Sequence, residues 1–238
     1  MRSSHFYFAS TRRRLVRTSL ASTLALSAVV AFAPAAHATI ATSHSYYVGA
    51  TGDGVAAISQ TTCELKTNTN CTLRDAVTWA NGDGASSTDT VYLTRFTTPT
   101  TFTLDQHSAI TISDAGPMLI VGAGTGISTV SGLNATTIFL NSAPAATISN
   151  MTITHGSRGF SGNGGAITNN GTLTLVKVNF YENFAGSYGG AVVTSGHLTV
   201  HGGLWSRNTA NNNCGGALDV FGGVATVDSV TMSDNVSD

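Results

Sequence analysis

The chain has 238 residues, only 10% of them charged, with 26 glycines against four prolines. Five of its eleven basic residues, Arg2, Arg12, Arg13, Arg14 and Arg17, fall near the start, so six basic residues face twelve acidic ones in the remainder and leave it near −6. That balance argues against nucleic acid or an anionic membrane surface as partner. Beyond the first 38 residues no apolar run approaches the ~18 residues of a membrane-crossing helix.

The basic start runs into apolar Leu20 to Phe32 and then Ala36-His37-Ala38, a small-x-small site. This predicts a signal peptide over 1–38, cut between Ala38 and Thr39. Thr11-Arg12-Arg13-Arg14-Leu15-Val16 also fits a twin-arginine signal, so both export routes stay open. The remaining 39–238 is the size of one domain. It divides into an N-terminal cap with irregular first coils, 39–107, and a solenoid, 108–238, whose regular repeats begin at about 146. Cys63 and Cys71 are close in sequence, and export permits a disulfide between them. Two free thiols are the other reading; a metal site is disfavoured, because no matching Cys or His pair accompanies them. Thr72-Leu-Arg-Asp75 is a capping box that opens a short helix, with Leu73, Ala76, Val77 and Ala80 on one side and Asn81-Gly82 at its end. Solenoid ends expose strand edges. The helix, tethered by the cysteines, is therefore expected to lid the N-terminal end.

Short apolar runs follow, separated by Gly, Pro, Asp and Ser turns: Val91 to Leu93, Phe102 to Leu104, Ile110 to Ile112, Met118 to Val121 and Thr137 to Leu140. They read as strands of the first coils. Then one pattern recurs three times. Gly164-Gly165-Ala-Ile precedes Phe180-x-x-Asn183, Gly189-Gly190-Ala-Val precedes Trp205-x-x-Asn208, and Gly215-Gly216-Ala-Leu precedes Met232-x-x-Asn235. The period of 25 or 26 residues marks a stacked repeat. Between the motifs, apolar and polar residues alternate, as at Leu173 and Leu175, Leu198 and Val200, Ala225 and Val227. That is strand periodicity, which excludes helical repeats and fits one coil of a parallel β-helix. Stacked at about 4.8 Å, Phe180, Trp205 and Met232 form a buried column. Asn183, Asn208 and Asn235 form an amide ladder. The Gly-Gly pairs mark turns that need positive φ or close backbone approach. Ala146 to Gly156 fits the same register at a shift of 27, with Gly156 in place of the ladder Asn.

The Gly-Gly-Ala-Ile and Phe-x-x-Asn motifs resemble the repeats of polymorphic outer membrane proteins. Cys63…Cys71-Thr-Leu-Arg-Asp-Ala-Val-Thr-Trp-Ala-Asn81 resembles the N-terminal Cys-Ser-Leu-Arg-Glu-Ala motif of exported bacterial β-helix proteins, with Thr72 for its Ser and Asp75 for its Glu. The resemblance implies an all-β fold, a right-handed parallel β-helix of pectate-lyase-like shape, on a secreted or outer-membrane-associated protein. It implies an adhesin-like passenger rather than one activity.

Many pectin-cleaving enzymes share that solenoid, and such chemistry needs clustered carboxylates. Here Asp105, Asp114, Glu182, Asp219, Asp228 and Asp234 are scattered along the sequence. His155-Gly156 with Arg158 is the nearest echo of a catalytic motif. His197 and His201 would stand about 13 Å apart on a strand, too far for one ion. Cys214, beside a Gly-Gly turn, reads as an incidental thiol. No catalytic residue, metal ligand or cofactor is assigned. The expectation is a non-enzymatic extracellular or cell-surface protein, adhesin-like or structural, that binds glycan or protein through its outer face. A polysaccharide lyase or glycoside hydrolase is the second reading. A passenger fragment that self-associates through its C-terminal edge is the third.

Overall fold

A computed structural model describes residues 42–54, 58–84, 87–159, 162–211 and 214–238. The expected signal peptide and its Ala38–Thr39 junction lie outside the described residues. Parallel sheets wind into a right-handed parallel β-helix of about five turns. The longest sheet runs Ser43–Tyr47, Thr88–Leu93, Met118–Gly122, Ala146–Thr154, Thr172–Tyr181, His197–Ser206 and Val224–Ser233, each strand parallel to the next. Thr100–Thr103 and Ser128–Ser131 join its second half through Ala146–Thr154. A second sheet stacks Ile110–Ile112, Phe139–Asn141, Ile167–Asn169, Val192–Thr194 and Leu218–Val220. A third stacks Phe184–Ala185, Thr209–Ala210 and Val236–Ser237.

Each late coil is shaped by a small set of residues. Its long strand bends at a residue in the left-handed region: Asn150, Lys177, Gly202 and Ser229, with φ of 54°, 51°, 71° and 57°. It turns at another such residue, His155, Glu182, Arg207 or Asp234. The next residue is the ladder position. The first Gly of each pair also has positive φ, whereas a Cβ on the second would strike backbone of a neighbouring segment, so the pair needs glycine for two separate reasons.

The inward columns follow the alternation. Tyr46, Val91, Ile120, Ile148, Leu175 and Val200 stack in register and are buried. Phe102, Val130, Ile153, Phe180 and Trp205 form a second column, closed by an edge-to-face pair of Phe180 and Trp205 at 4.7 Å. Met232 takes the next register position but is 45% exposed, contrary to the buried place expected for it. It lies on Val224–Ser233, the outermost strand of the sheet, so no described strand covers that side.

The N-terminal region forms around the capping box. Thr72 accepts from the Asp75 amide, while Asp75 accepts from the Thr72 amide, and the helix Leu73–Ala80 buries Leu73, Ala76, Val77 and Ala80. Those side chains share one core cluster with the first coils, so the helix closes that end of the core. A five-residue helix, Gln60–Glu64, and the strand Ser43–Tyr47 were not legible in the sequence. Each buries few side chains and shows no apolar period. Cys63 and Cys71 are joined by a disulfide, both buried, with Cα atoms 5.2 Å apart. On the chain-entropy model, closing so short a loop stabilises the fold by about 2–3 kcal/mol. Urea unfolding of a Cys63→Ala/Cys71→Ala chain should show that loss; an unchanged midpoint would contradict it.

Candidate functional site

The outward side of the long sheet carries rows of hydroxyl side chains. Thr147, Thr174, Thr199 and Thr226 occupy one register column across four coils, and Ser45 and Thr90 lie on its continuation in the first two. Leu119 interrupts the row. On the second half of the sheet Thr101, Thr129, Thr152 and Asn179 make a parallel row. Inward neighbours are fixed in the core, so these hydroxyls repeat at the strand spacing of about 4.8 Å on a rigid base.

The neighbouring column begins with Tyr47 and Tyr92, which are in register, with rings stacked at 5.2 Å and 12°. The Lys66 ammonium lies 5.5 Å from the Tyr47 ring centre. These residues, with Thr94 and Arg95, line a shallow cavity of about 430 Å³. Lys66 and Arg95 are exposed and are two of only six basic residues after the first 38. Cations set against stacked phenol rings suit an anionic group.

The sequence-derived candidates are dispersed. Arg158 lines a cavity of about 440 Å³ with Ala109, Ala135, Thr136, Thr137, Leu140, Ser157 and Gly159, and no carboxylate among the described residues lines it. Its guanidinium donates to Thr168 Oγ1 at 3.4 Å. His155 is 3.4 Å from Glu182, which also lies 3.5 Å from Arg207, so these residues form a polar row along the turn. His197 and His201 are exposed, and His201 stands 3.8 Å from Asp228. Asp219 lies on the second sheet, in register with Val193. Cys214 is a free, half-buried thiol.

The ladder Asn residues make the expected chain of bonds. Asn183 Nδ2 donates to Asn208 Oδ1 at 2.9 Å, and Asn208 Nδ2 donates to Asn235 Oδ1 at 2.9 Å. Gly156, in the ladder position of the earlier coil, donates its amide to Asn183 Oδ1 at 2.8 Å. A second buried ladder was missed. Asn141 donates to Asn169 at 2.7 Å, and Asn169 donates to Thr194 at 2.9 Å. Asn141 and Asn169 each end a three-residue strand that opens on a large apolar residue, at a spacing of 28, a faint signal that was available.

The expectation that the carboxylates are scattered needs correction at the N-terminal end. Asp83, just past the Leu73–Ala80 helix, Asp89 on Thr88–Leu93, and Asp114 in the turn after Ile110–Ile112 each place an oxygen within 4.8 Å of the others. Tyr46 donates to Asp83 at 2.7 Å, Ser87 Oγ lies 3.1 Å from both Asp83 and Asp89, and the Gly116 amide donates to Asp114 at 3.0 Å. Burial, reinforced by the adjacent Asp83, pushes the Asp89 carboxyl up to about 7. Burial also raises the Tyr46 phenol, and Asp83 adds to the effect. A hydrogen bond from His44 Nδ1 to Glu64, 2.8 Å, raises the His44 imidazole. Sequence spacing conceals the cluster, because folding back one coil is what joins positions 83, 89 and 114.

Comparison with family models, with curated proteins and with solved structures returns no match for this chain. Among the described residues no helix is long and apolar enough to cross a membrane.

Proposed function

We propose that this chain is an exported, non-enzymatic β-helix protein, adhesin-like or structural, that binds glycan through its outer face and prefers acidic saccharides. The observation that carries this reading is the row of outward threonines, Thr147, Thr174, Thr199 and Thr226, repeating coil by coil on a rigid sheet. A polymer with its own hydroxyl repeat meets such a row with many modest hydrogen bonds, none of which needs a deep pocket. The cavity of Tyr47, Lys66, Tyr92 and Arg95 lies beside Ser45 and Thr90, on the continuation of that row past Leu119, and supplies the cationic end for a carboxylate. The basic, apolar, small-x-small start supports export, and a disulfide suits an oxidising compartment.

Calorimetric titration of the full chain with oligogalacturonate and with a neutral oligosaccharide tests the reading. Binding of the acidic probe without release of unsaturated or reducing-end product is expected. A Lys66→Ala/Arg95→Ala chain should bind it about tenfold more weakly, the scale of one lost charge-assisted hydrogen bond. Product formation that disappears on replacing Arg158 or Asp219 would instead establish the enzyme reading. Equal affinity of the double variant would remove the cationic cavity from the binding face.

A further inference from the structure

The acidic cluster at the N-terminal end poses an electrostatic problem that the fold leaves open. Asp89 points inward at a register position where the following coils place Met118, Ala146, Leu173 and Leu198. A carboxylate therefore replaces an apolar residue in a core column, and it is fully buried. Asp114 is fully buried too. Each has one oxygen, Asp89 Oδ1 and Asp114 Oδ2, without a hydrogen-bond partner among the described residues. No Lys or Arg pairs with Asp83, Asp89 or Asp114 among those residues, and His44 Nε2 stands 3.9 Å from Asp83, beyond hydrogen-bond reach. Buried carboxylates that converge in this way persist only where a proton or a cation offsets their charge.

We propose that Asp83, Asp89 and Asp114 bind a calcium ion that clamps the N-terminal cap to the first coils. The donors are all oxygens, which selects a hard cation over zinc or copper. Magnesium dehydrates reluctantly and keeps several waters beside one or two carboxylates, whereas calcium accepts more protein oxygens in a flexible geometry. The three carboxylate oxygens lie within 4.8 Å of one another, close enough to share one ion. The ion would tie together the exit of the Leu73–Ala80 helix, the Thr88–Leu93 strand and the turn at Asp114. The two unpartnered oxygens would become ligands.

The test uses the full chain stripped of metal with a chelator. Calcium chloride alone, at about a hundredfold its dissociation constant, is expected to raise the melting temperature by about 5–10 °C. Magnesium should do less, and an equal or larger magnesium shift would overturn the calcium assignment. Terbium offers a second readout. Bound among these carboxylates it would be excited through Tyr46, whose hydroxyl donates to Asp83, and calcium should displace its emission. Asp89→Met, which copies the residue at the next coil, is expected to fold, to melt alike with and without calcium, and to lose the terbium signal. If that variant fails to fold, Asp114→Asn serves for the same comparison. A wild-type melt that calcium leaves unmoved, or a ligand variant that keeps the calcium shift, would overturn the site.

Discussion

Arg74→Ala is expected to lower the unfolding free energy by about 3–5 kcal/mol, the cost of stranding a buried charge. Arg74 Nε and Nη2 donate to the two oxygens of Asp53 at 2.7 and 2.6 Å. The same guanidinium donates to the carbonyls of Ala109 at 3.0 Å and Ser108 at 2.6 Å. One side chain on the capping helix thus holds the loop at Asp53 and the turn before Ile110–Ile112. Asp53 is 1% exposed, so truncating its partner leaves a buried carboxyl group with little water to solvate it. Arg74→Lys should recover only part of the loss, because an ammonium cannot reproduce the two-pronged contact. Adding Asp53→Ala to Arg74→Ala should restore stability relative to the single variant, since it removes the stranded charge. Urea unfolding of these variants, together with Asp53→Ala alone, measures the cycle. A single-variant loss below about 1 kcal/mol would put the pair in the class of surface ion pairs and defeat the argument.

Asn208→Ala should cost a comparable amount, about 2–6 kcal/mol, through orphaned hydrogen-bonding groups at about 1–3 kcal/mol each. Asn208 Oδ1 accepts from both the amide and Nδ2 of Asn183, at 3.1 and 2.9 Å. Its Nδ2 donates to the Phe180 carbonyl at 3.1 Å and to Asn235 at 2.9 Å. Asn208 is fully buried, so water cannot take over those roles. Asn208→Asp separates the two halves of the network: it keeps the acceptor for Asn183 but loses both donations and buries a charge. Because each coil contacts only its neighbours, the damage should localise to the last three coils, which hold Asn208 and its partners. Hydrogen exchange should therefore rise there and not in the capping helix. Uniform loss of protection along the chain would contradict that expectation. Asn235→Ala should cost less, because Asn235 is half-buried.

The relation of sequence to structure differs from element to element. The coil register was legible because strand alternation and turn motifs are local and recur. The shift of 27 that aligns Ala146 with Leu173 is the pairing observed. The capping box was legible because a helix N-terminus is satisfied by residues three apart. The bend residues Lys177 and Ser229 were not, because neither residue type announces a left-handed backbone. The second ladder of Asn141, Asn169 and Thr194 was hidden by its mixed composition: a threonine hydroxyl serves where an amide is expected.

Local chemistry was therefore enough to specify the repeat, its strand periodicity, the cap and the spacing of the paired cysteines. Such features depend on neighbours a few residues apart and on a regular return. The three-carboxylate cluster, the Arg74 clamp and the outward threonine rows depended on which residues meet after the chain closes each coil. Asp83, Asp89 and Asp114 illustrate the reason. Their individual positions look like ordinary solvated acids, and only the closed coil brings them together with Asp89 and Asp114 fully buried, where their charges are costly.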